Sequence, residues 1–332
     1  MEGLGFGMNS PLQGKRVLVT GATGFIGSHL VKRLLKEGVE THVLLRNDSN
    51  LFRIQDIIGN LTVWQGDIRD DRSICFCVKN SKPQIIFHLA TLRNIERDLE
   101  LVNPMIDINI KGTVNLLKAV IDEKIAIECF VNTGTCEEYG DGAVPFYESQ
   151  REIPVSPYSA SKVAATYLCQ MIFKIKGLPI ITLRPFLTYG PYQDTGMLIP
   201  AIIRHCIAGV DFPMTEGNQT REFNYIDDIV EGYMLAATCK NAIGEIINIG
   251  SGVEYRVAEV AEKIIKINNT PIKLLKGVLS KRPGEAVNFF CNNEKAKNLL
   301  NWEPKTTLDE GLKKTIDWYR SNLDLYSYIL LK

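Results

Sequence analysis

Six short apolar runs punctuate the chain up to Pro185: RVLVT (16–20), THVLL (41–45), LTVWQ (61–65), QIIFHLA (84–90), ECFVN (128–132) and PIITLRP (179–185). Each has strand length, and each is continuously apolar rather than alternating. Continuous apolarity implies burial on both faces, as in a parallel sheet covered by helices. Between the runs, apolar positions follow helical spacing over 25–37, 104–123 and 158–176. Strands alternating with helices in this way predict a doubly wound α/β fold. After Pro185 the rhythm changes, and loops become rich in Gly and Pro: YGPYQDTG, MTEGNQTREF, SKRPGEAV. A smaller lobe is expected there, with a segment returning to the sheet near 222–250.

Composition narrows the function classes. The 332 residues carry 38 Lys+Arg and 38 Asp+Glu, so no net charge steers the chain to nucleic acid or to a membrane surface. No apolar run approaches the roughly 20 residues of a membrane helix. The opening MEGLGFGMNSPLQGKR lacks the apolar centre of a signal peptide and reads as a loose tail. Eight cysteines are scattered without a CxxC pair, and the four histidines form no ligand-like pair. No metal site is expected, and a reducing, cytoplasmic location is.

The first apolar run leads straight into Gly21-Ala22-Thr23-Gly24-Phe25-Ile26-Gly27, and a helical pattern follows. A glycine-rich turn between a strand and a helix is a dinucleotide-binding signature. Gly21 permits the tight turn, Gly24 lets backbone N–H groups approach a pyrophosphate, and Gly27 permits close helix–strand packing. The fold expected is therefore a Rossmann-type doubly wound parallel sheet over 14–185, with the returning segment near 222–250. A substrate-binding lobe would be built from 186–221 and 251–325. A NAD site usually carries an acid about 20 residues beyond the glycines. Here that position is Leu45, and Arg46 follows. A guanidinium suits a 2′-phosphate, so NADP is expected, with NAD as the other possibility.

Tyr158-Ser159-Ala160-Ser161-Lys162 opens a helix, and i,i+4 spacing puts Tyr158 and Lys162 on one face. A phenol with an ordinary pKa of about 10 is a poor base at neutral pH. A neighbouring ammonium favours its phenolate. Tyr158 could then take a proton from a hydroxyl, or return it to an alkoxide.

GATGFIG, YSASK, INIKGT (108–113) and HLA (88–90) together resemble the extended short-chain dehydrogenase/reductase family over nearly the whole chain. Its members mostly act on nucleotide-linked sugars, as epimerases, dehydratases, decarboxylases and ketoreductases. The resemblance implies a dinucleotide lined by Thr23, Phe25, Ile26, Asp67, Ile68, Leu89, Ala90, Thr91 and Pro185, with Asn109 in the family's NxxGT motif beside the sheet. It also implies a homodimer built on helices 104–123 and 158–176.

The resemblance gives the stretch Asn132-Thr133-Gly134-Thr135-Cys136-Glu137-Glu138-Tyr139-Gly140 its meaning. Thr135 holds the position of the hydroxyl partner of the catalytic tyrosine. In sugar 4,6-dehydratases the next two positions are an acid and a base; here they are Cys136 and Glu137. A thiol with pKa about 8.5 is a weaker donor than a carboxylic acid. This pair resembles that of 4-ketoreductases of 6-deoxyhexoses, and that of an enzyme leaving a 5,6-ene sugar. Cys136 as a small apolar filler, and Glu137 as a solvated loop residue, remain open. Glu138 reads as scaffolding, and Asp227 and Asp228 as stabilisers of a helix N-terminus.

Arg184-Pro185-Phe186-Leu187-Thr188-Tyr189-Gly190-Pro191 resembles the family's RxxNxYGP segment, with Leu187 where Asn is usual. Arg221 and Arg282 match positions where an arginine meets a diphosphate. The expected substrate is a nucleoside diphosphate sugar. Arg46 points to NADP-dependent reduction of an NDP-4-keto-6-deoxyhexose. The alternative is a nucleotide-sugar 4-epimerase or dehydratase that recycles its cofactor internally. A third reading is a non-catalytic NADP-binding protein.

Overall fold

The structure, a computed structural model, describes residues 10–281 and 286–325. The first nine residues of the expected tail, and Arg282, lie outside the described residues. Contacts divide the chain into two compact units. One comprises 1–138, 152–184 and 230–247; the other comprises 139–151, 185–229 and 248–332.

The first unit is built on a seven-stranded sheet. Its strands are β1 (Arg16–Thr20), β2 (Glu40–Leu45), β3 (Thr62–Gln65), β4 (Ile85–His88), β5 (Cys129–Thr133), β6 (Ile180–Pro185) and β7 (Ile246–Ile249), in the spatial order β7-β6-β5-β4-β1-β2-β3. The pairs from β3 through to β6 are parallel. Beside β6, Gly244 N donates to Ile180 O and Thr182 N to Glu245 O, so β7 is the returning segment that joins the sheet. Strand order reverses between β1 and β4. In such sheets ligands bind outside the carboxyl ends of the strands at this reversal.

Four helices matter to the site. They are α1 (Phe25–Lys36), α2 (Asp71–Ser81), α3 (Gly112–Asp122) and α4 (Pro157–Lys176). Leu18, Ile86 and Phe130 from the sheet pack with Ile74 and Val78 of α2, Leu116, Leu117 and Val120 of α3, and Cys169 and Ile172 of α4. Burying an aliphatic side chain contributes about 1.5–3 kcal/mol, so this layer holds the helices on the sheet.

The helical stretch expected over 104–123 is not uniform. A short turn at Val102–Met105 leads into a π-helical segment, Ile106–Lys111, before α3. The wide turn carries Asn109, whose side chain makes four hydrogen bonds outside its own helix. Such π-helical turns are rare and occur frequently at functional sites.

The second unit contains helices Leu198–Ala208, Val257–Asn268 and Leu308–Ser321, and three two-stranded ribbons. Phe146 stacks on Tyr139 at 4.8 Å and meets Phe289 edge-on at 4.8 Å, with Phe186 beside them. Asp228, in the first turn of helix Ile226–Thr238, accepts from Lys305 N (3.1 Å) and Thr306 N (3.0 Å). It ties down a neighbouring loop, which agrees with a structural role.

Candidate active site

The turn between β1 and α1 is shaped by its glycines. Gly21 has φ +75°, and a Cβ there would lie 2.6 Å from Ala90 N. A Cβ on Gly27 would collide with Gly21 O. Gly24 caps α1 with no side-chain bond, and no acidic residue sits in the first turn. The helix N-terminus is thus lined by backbone alone and favours an anion. These features fit the pyrophosphate of a nicotinamide dinucleotide.

Around the turn, Leu89 N donates to Thr20 O (3.1 Å) and Ala90 N to Thr20 Oγ1 (3.3 Å), which draws the β4 exit close to Gly21. Thr23 O accepts from Arg53 (3.3 Å). Phe25 and Ile26 form the first turn of α1. The Thr91 hydroxyl and Leu92 N both bond Asn109 Oδ1, and Asn109 Nδ2 bonds Leu92 O and Ser161 Oγ. Asn109 therefore fastens the β4 exit loop to α4.

Beyond β3, the Asp67 carboxylate is paired with Arg69, which lowers its pKa, and Ile68 is buried where a Cβ on Gly112 would meet it at 2.8 Å. Arg46 follows β2 directly, half exposed, with Asp48 at 3.2 Å.

The catalytic pair sits at the start of α4. Ser156 and Ser159 form a reciprocal capping box and Pro157 occupies the first turn, so the helix begins where Tyr158 must be fixed. Tyr158 is 6% and Lys162 2% exposed. Burial pushes the Tyr158 phenol up; a hydrogen bond with Thr135 and the charge of Arg93 pull it down, while Cys136 and Glu137 push it up. Burial lowers Lys162, and the charge of Glu138 opposes that. Lys162 also reaches His88, whose imidazole is driven down to about 3, first by burial and then by the lysine's charge. That neutral ring bridges Thr20 Oγ1 (2.8 Å) and Thr113 Oγ1 (2.9 Å).

Thr135 opens the tight turn Cys136–Tyr139 after β5. Its Oγ1 accepts from Glu137 N (3.3 Å), and its N–H donates to Glu138 Oε1 (2.8 Å). Cys136 is buried at 6% exposure, and Glu137 is half-buried. The structure brings Tyr158, Lys162, Thr135, Cys136 and Glu137 together.

Glu138 was expected to be mere scaffolding. It is wholly buried, and Arg184 donates to its Oε2 from Nε (3.0 Å) and Nη2 (2.7 Å). Arg184 Nη2 also reaches Glu152 Oε1 (2.5 Å), whose other oxygen accepts from Tyr167 (2.8 Å). Glu138 was read as scaffolding, Arg184 and His88 were named only within family-like segments, and Arg93 was not singled out from the sequence. The available hint was one charge of each sign beside an apolar run, Glu138 in the turn after β5 and Arg184 near the end of β6.

In the second unit, Pro185 ends β6. Leu187 offers its carbonyl to Asn224 N at 2.8 Å. Arg221 is half-buried, donates to Thr220 O (2.7 Å), and lies 5.9 Å over the Phe289 ring.

Among the described residues no cluster of potential metal ligands occurs and no helix is long and apolar enough to cross a membrane.

The GDP-mannose 4,6 dehydratase family model matches residues 18–315. The chain is 30% identical to dTDP-glucose 4,6-dehydratase of Xanthomonas campestris, over 92% of this chain and 93% of that one. It spans about half (47%) of a longer relative, a trifunctional UDP-glucose 4,6-dehydratase/epimerase/reductase of Arabidopsis thaliana, at 30% identity. Among solved structures, dTDP-glucose 4,6-dehydratase of Bacillus anthracis in complex with NAD superposes with a TM-score of 0.83, at 30% identity over 94% of this chain and 99% of that one. UDP-glucose 4-epimerase of Thermotoga maritima with UDP-glucose gives 0.86, at 26% identity over 92% and 99%. A match running from residue 18 to residue 315 takes in most of both units, and the chain belongs to the extended short-chain dehydrogenase/reductase family of nucleotide-sugar enzymes.

Proposed function

We propose that this enzyme oxidises C4 of a nucleotide-linked hexose, eliminates water next to the new ketone, and recycles its nicotinamide dinucleotide internally. The observation that carries the reading is that half-buried Glu137 shares the tight turn after β5 with Thr135, to whose Oγ1 its N–H donates at 3.3 Å. The relatives named as dehydratases and epimerases support a recycled cofactor. Net reduction of an NDP-4-keto-6-deoxyhexose, the expectation drawn from Arg46, receives no specific support from them.

The Gly21–Gly27 turn, Ala90 and Thr91 would hold the dinucleotide, which supplies the hydride acceptor and later the donor. Thr135 Oγ1 orients the C4 oxygen, and Tyr158 Oη takes the C4 hydroxyl proton as the carbonyl forms. The carbonyl acidifies C5–H, and the Glu137 carboxylate takes that proton. The electron pair released at C5 expels the C6 hydroxyl, which leaves as water with a proton from Cys136 Sγ. If Glu137 returns its proton to C5, the product is a 4-keto-6-deoxy sugar, and the Tyr158 proton restores the thiol through water. If Tyr158 returns its proton to the C4 oxygen, the product is a 5,6-ene sugar, and Glu137 restores the thiol.

Arg221 and Arg282 are proposed as diphosphate contacts and Leu187 as a residue beside the sugar. The dinucleotide belongs to 14–185 and the sugar nucleotide to the C-terminal lobe. Arg46, exposed at the end of β2, supports NADP as the preferred dinucleotide. Tyr167, Met171 and Ile175 project as an exposed stripe on α4 and support a homodimer. Eight free thiols support a reducing compartment such as the cytoplasm.

The test is incubation with UDP-, GDP-, CDP- and dTDP-linked hexoses and a trace of dinucleotide, with products read by mass and NMR. Loss of one water from one nucleotide series is expected. An isomer of unchanged mass would replace dehydration by C4 epimerisation. Stoichiometric consumption of reduced dinucleotide with a 4-keto-6-deoxy sugar, and no dehydration, would restore the reductase.

A further inference from the structure

Arg221 and Glu222 are neighbours on the strand Thr220–Glu222, so their side chains leave it on opposite faces. Arg221 is half-buried, whereas Glu222 is fully buried. Two other segments of the second unit pair with this strand. Glu254–Arg256 runs antiparallel to it, with Tyr255 opposite Arg221. Segment 287–291 is bonded to it as well: Thr220 N donates to Val287 O (2.8 Å) and Glu222 N to Phe289 O (3.3 Å). Phe146 holds the end of that segment in turn, since Phe146 N donates to Phe290 O (2.9 Å) and Asn292 N to Phe146 O (2.9 Å).

The Arg221 guanidinium takes its direction from this pairing. Its Nη1 donates to Thr220 O (2.7 Å) on its own strand and to Val287 O (3.4 Å) on the neighbouring segment, and it lies 5.9 Å from the centre of the Phe289 ring. A slip of segment 287–291 along the strand would part these partners and swing the guanidinium away. The Glu222 side chain ties all three segments to one point. Its Oε2 accepts from Gly252 N at 2.8 Å, in the turn that leads to Glu254–Arg256, and its Oε1 accepts from the Cys291 thiol at 3.5 Å. Gly250 makes room for this: a Cβ there would collide with Glu222 Oε1 and lie 2.7 Å from Cys291 Sγ. Asn224 Oδ1 accepts from Ser251 N (2.8 Å), and Asn293 Nδ2 donates to Gly250 O (3.0 Å) and Ser251 O (3.1 Å), so the turn is closed around the carboxyl group.

We propose that Glu222 is a positioning residue for substrate binding: its buried carboxyl group ties the turn 250–253 and segment 287–291 to the strand of Arg221, and so aims the Arg221 guanidinium at the diphosphate. The inference rests on the proposed role of Arg221. A guanidinium held in place beforehand loses less freedom when it meets its anion, and the affinity gains by that difference. Without the carboxyl group, Gly252 N–H and the Cys291 thiol lose their acceptor, and the two segments are no longer fixed to each other through the strand. The carboxyl group accepts from Gly252 N whether ionised or protonated, so an amide in its place can do the same.

The test is calorimetric binding of UDP, CDP, GDP and dTDP, and of the matching nucleoside monophosphates, to the full-length protein saturated with dinucleotide. Arg221→Ala should weaken the preferred diphosphate about tenfold or more and the monophosphate less, as for loss of a hydrogen bond to a charged group. Glu222→Met keeps the length of the side chain without its acceptors; it should weaken the diphosphate about threefold or more, the freedom regained by one long side chain. In the Arg221→Ala background it should add nothing, because its effect runs through that arginine. Glu222→Gln should recover most of the loss. Losses that add in the double variant, or that fall equally on diphosphate and monophosphate, overturn the proposal. Should Glu222→Met fail to fold, Cys291→Ala removes one partner of the carboxyl group and is judged by the same cycle with Arg221→Ala. A diphosphate affinity that Arg221→Ala leaves unchanged would sink the role given to Arg221, and this proposal with it; additive losses would sink this proposal alone.

Discussion

Tyr158 and Thr135 share a hydrogen bond in a buried corner, and the proton at C4 has no other assigned acceptor. Tyr158→Phe should therefore lower kcat by about 10²–10⁴, the range of general acid–base catalysis, with dinucleotide affinity kept. Turnover beside a dinucleotide titration checks this. By the family resemblance, Cys136 takes the position where sugar 4,6-dehydratases carry an acid. Cys136→Asp should raise the rate of water loss and Cys136→Ala should lower it tenfold or more; equal rates in all three proteins would make the thiol a filler.

A different buried acid is expected to make stability depend on pH. Glu222 is fully buried in the second unit beside the Cys291 thiol, at 3.5 Å, and burial raises its pKa to about 7. A raised carboxyl pKa means that the folded state holds its proton more tightly than the unfolded one. That stability is complete below about 4.5 and is lost as pH rises through about 7. Thermal melts of Glu222→Gln should lack the decline the native protein shows across that window. The placing of Tyr158 and Lys162 on one helix face was legible because local spacing expresses it, and Thr135 was picked out by the family resemblance alone; the burial of Glu138 and Glu222 was legible in neither way. A buried glutamate looks like any surface glutamate until the chain brings Arg184 or Cys291 to it.

Between β1 and α1 the glycine turn could be read directly, since its demands are local: a positive φ at Gly21 and close approach at Gly27. The strands were legible for a related reason, because burial on both faces leaves a continuous apolar run. The π-helical turn at Ile106–Lys111 was not legible within the expected helix 104–123. Its apolar periodicity survives the widening, and the widening accompanies the bonds of Asn109 to a loop and to another helix. At the end of β2 the sequence offers Arg46 in place of an acid. Arg46→Ala should weaken NADP binding by tenfold or more and leave NAD binding nearly unchanged, as read by calorimetry. Equal effects on both would remove the case for NADP.

The proposed homodimer would cover the exposed residues Tyr167, Met171 and Ile175 of α4. Met171→Asp should shift sedimentation from dimer to monomer; a wild-type monomer would refute the dimer outright. The enzyme as a whole is proposed to end each cycle with its dinucleotide as it began. The measurement that tests this most directly is turnover of the accepted nucleotide hexose in D2O with dinucleotide far below the substrate concentration. The account predicts complete conversion, a product lacking one water, and no net change in dinucleotide redox state. It predicts deuterium at C5 when Glu137 returns the proton there, or a 5,6-ene when it does not. Conversion that stops when the dinucleotide is spent, or a C5 hydrogen fully retained in the product, would contradict it.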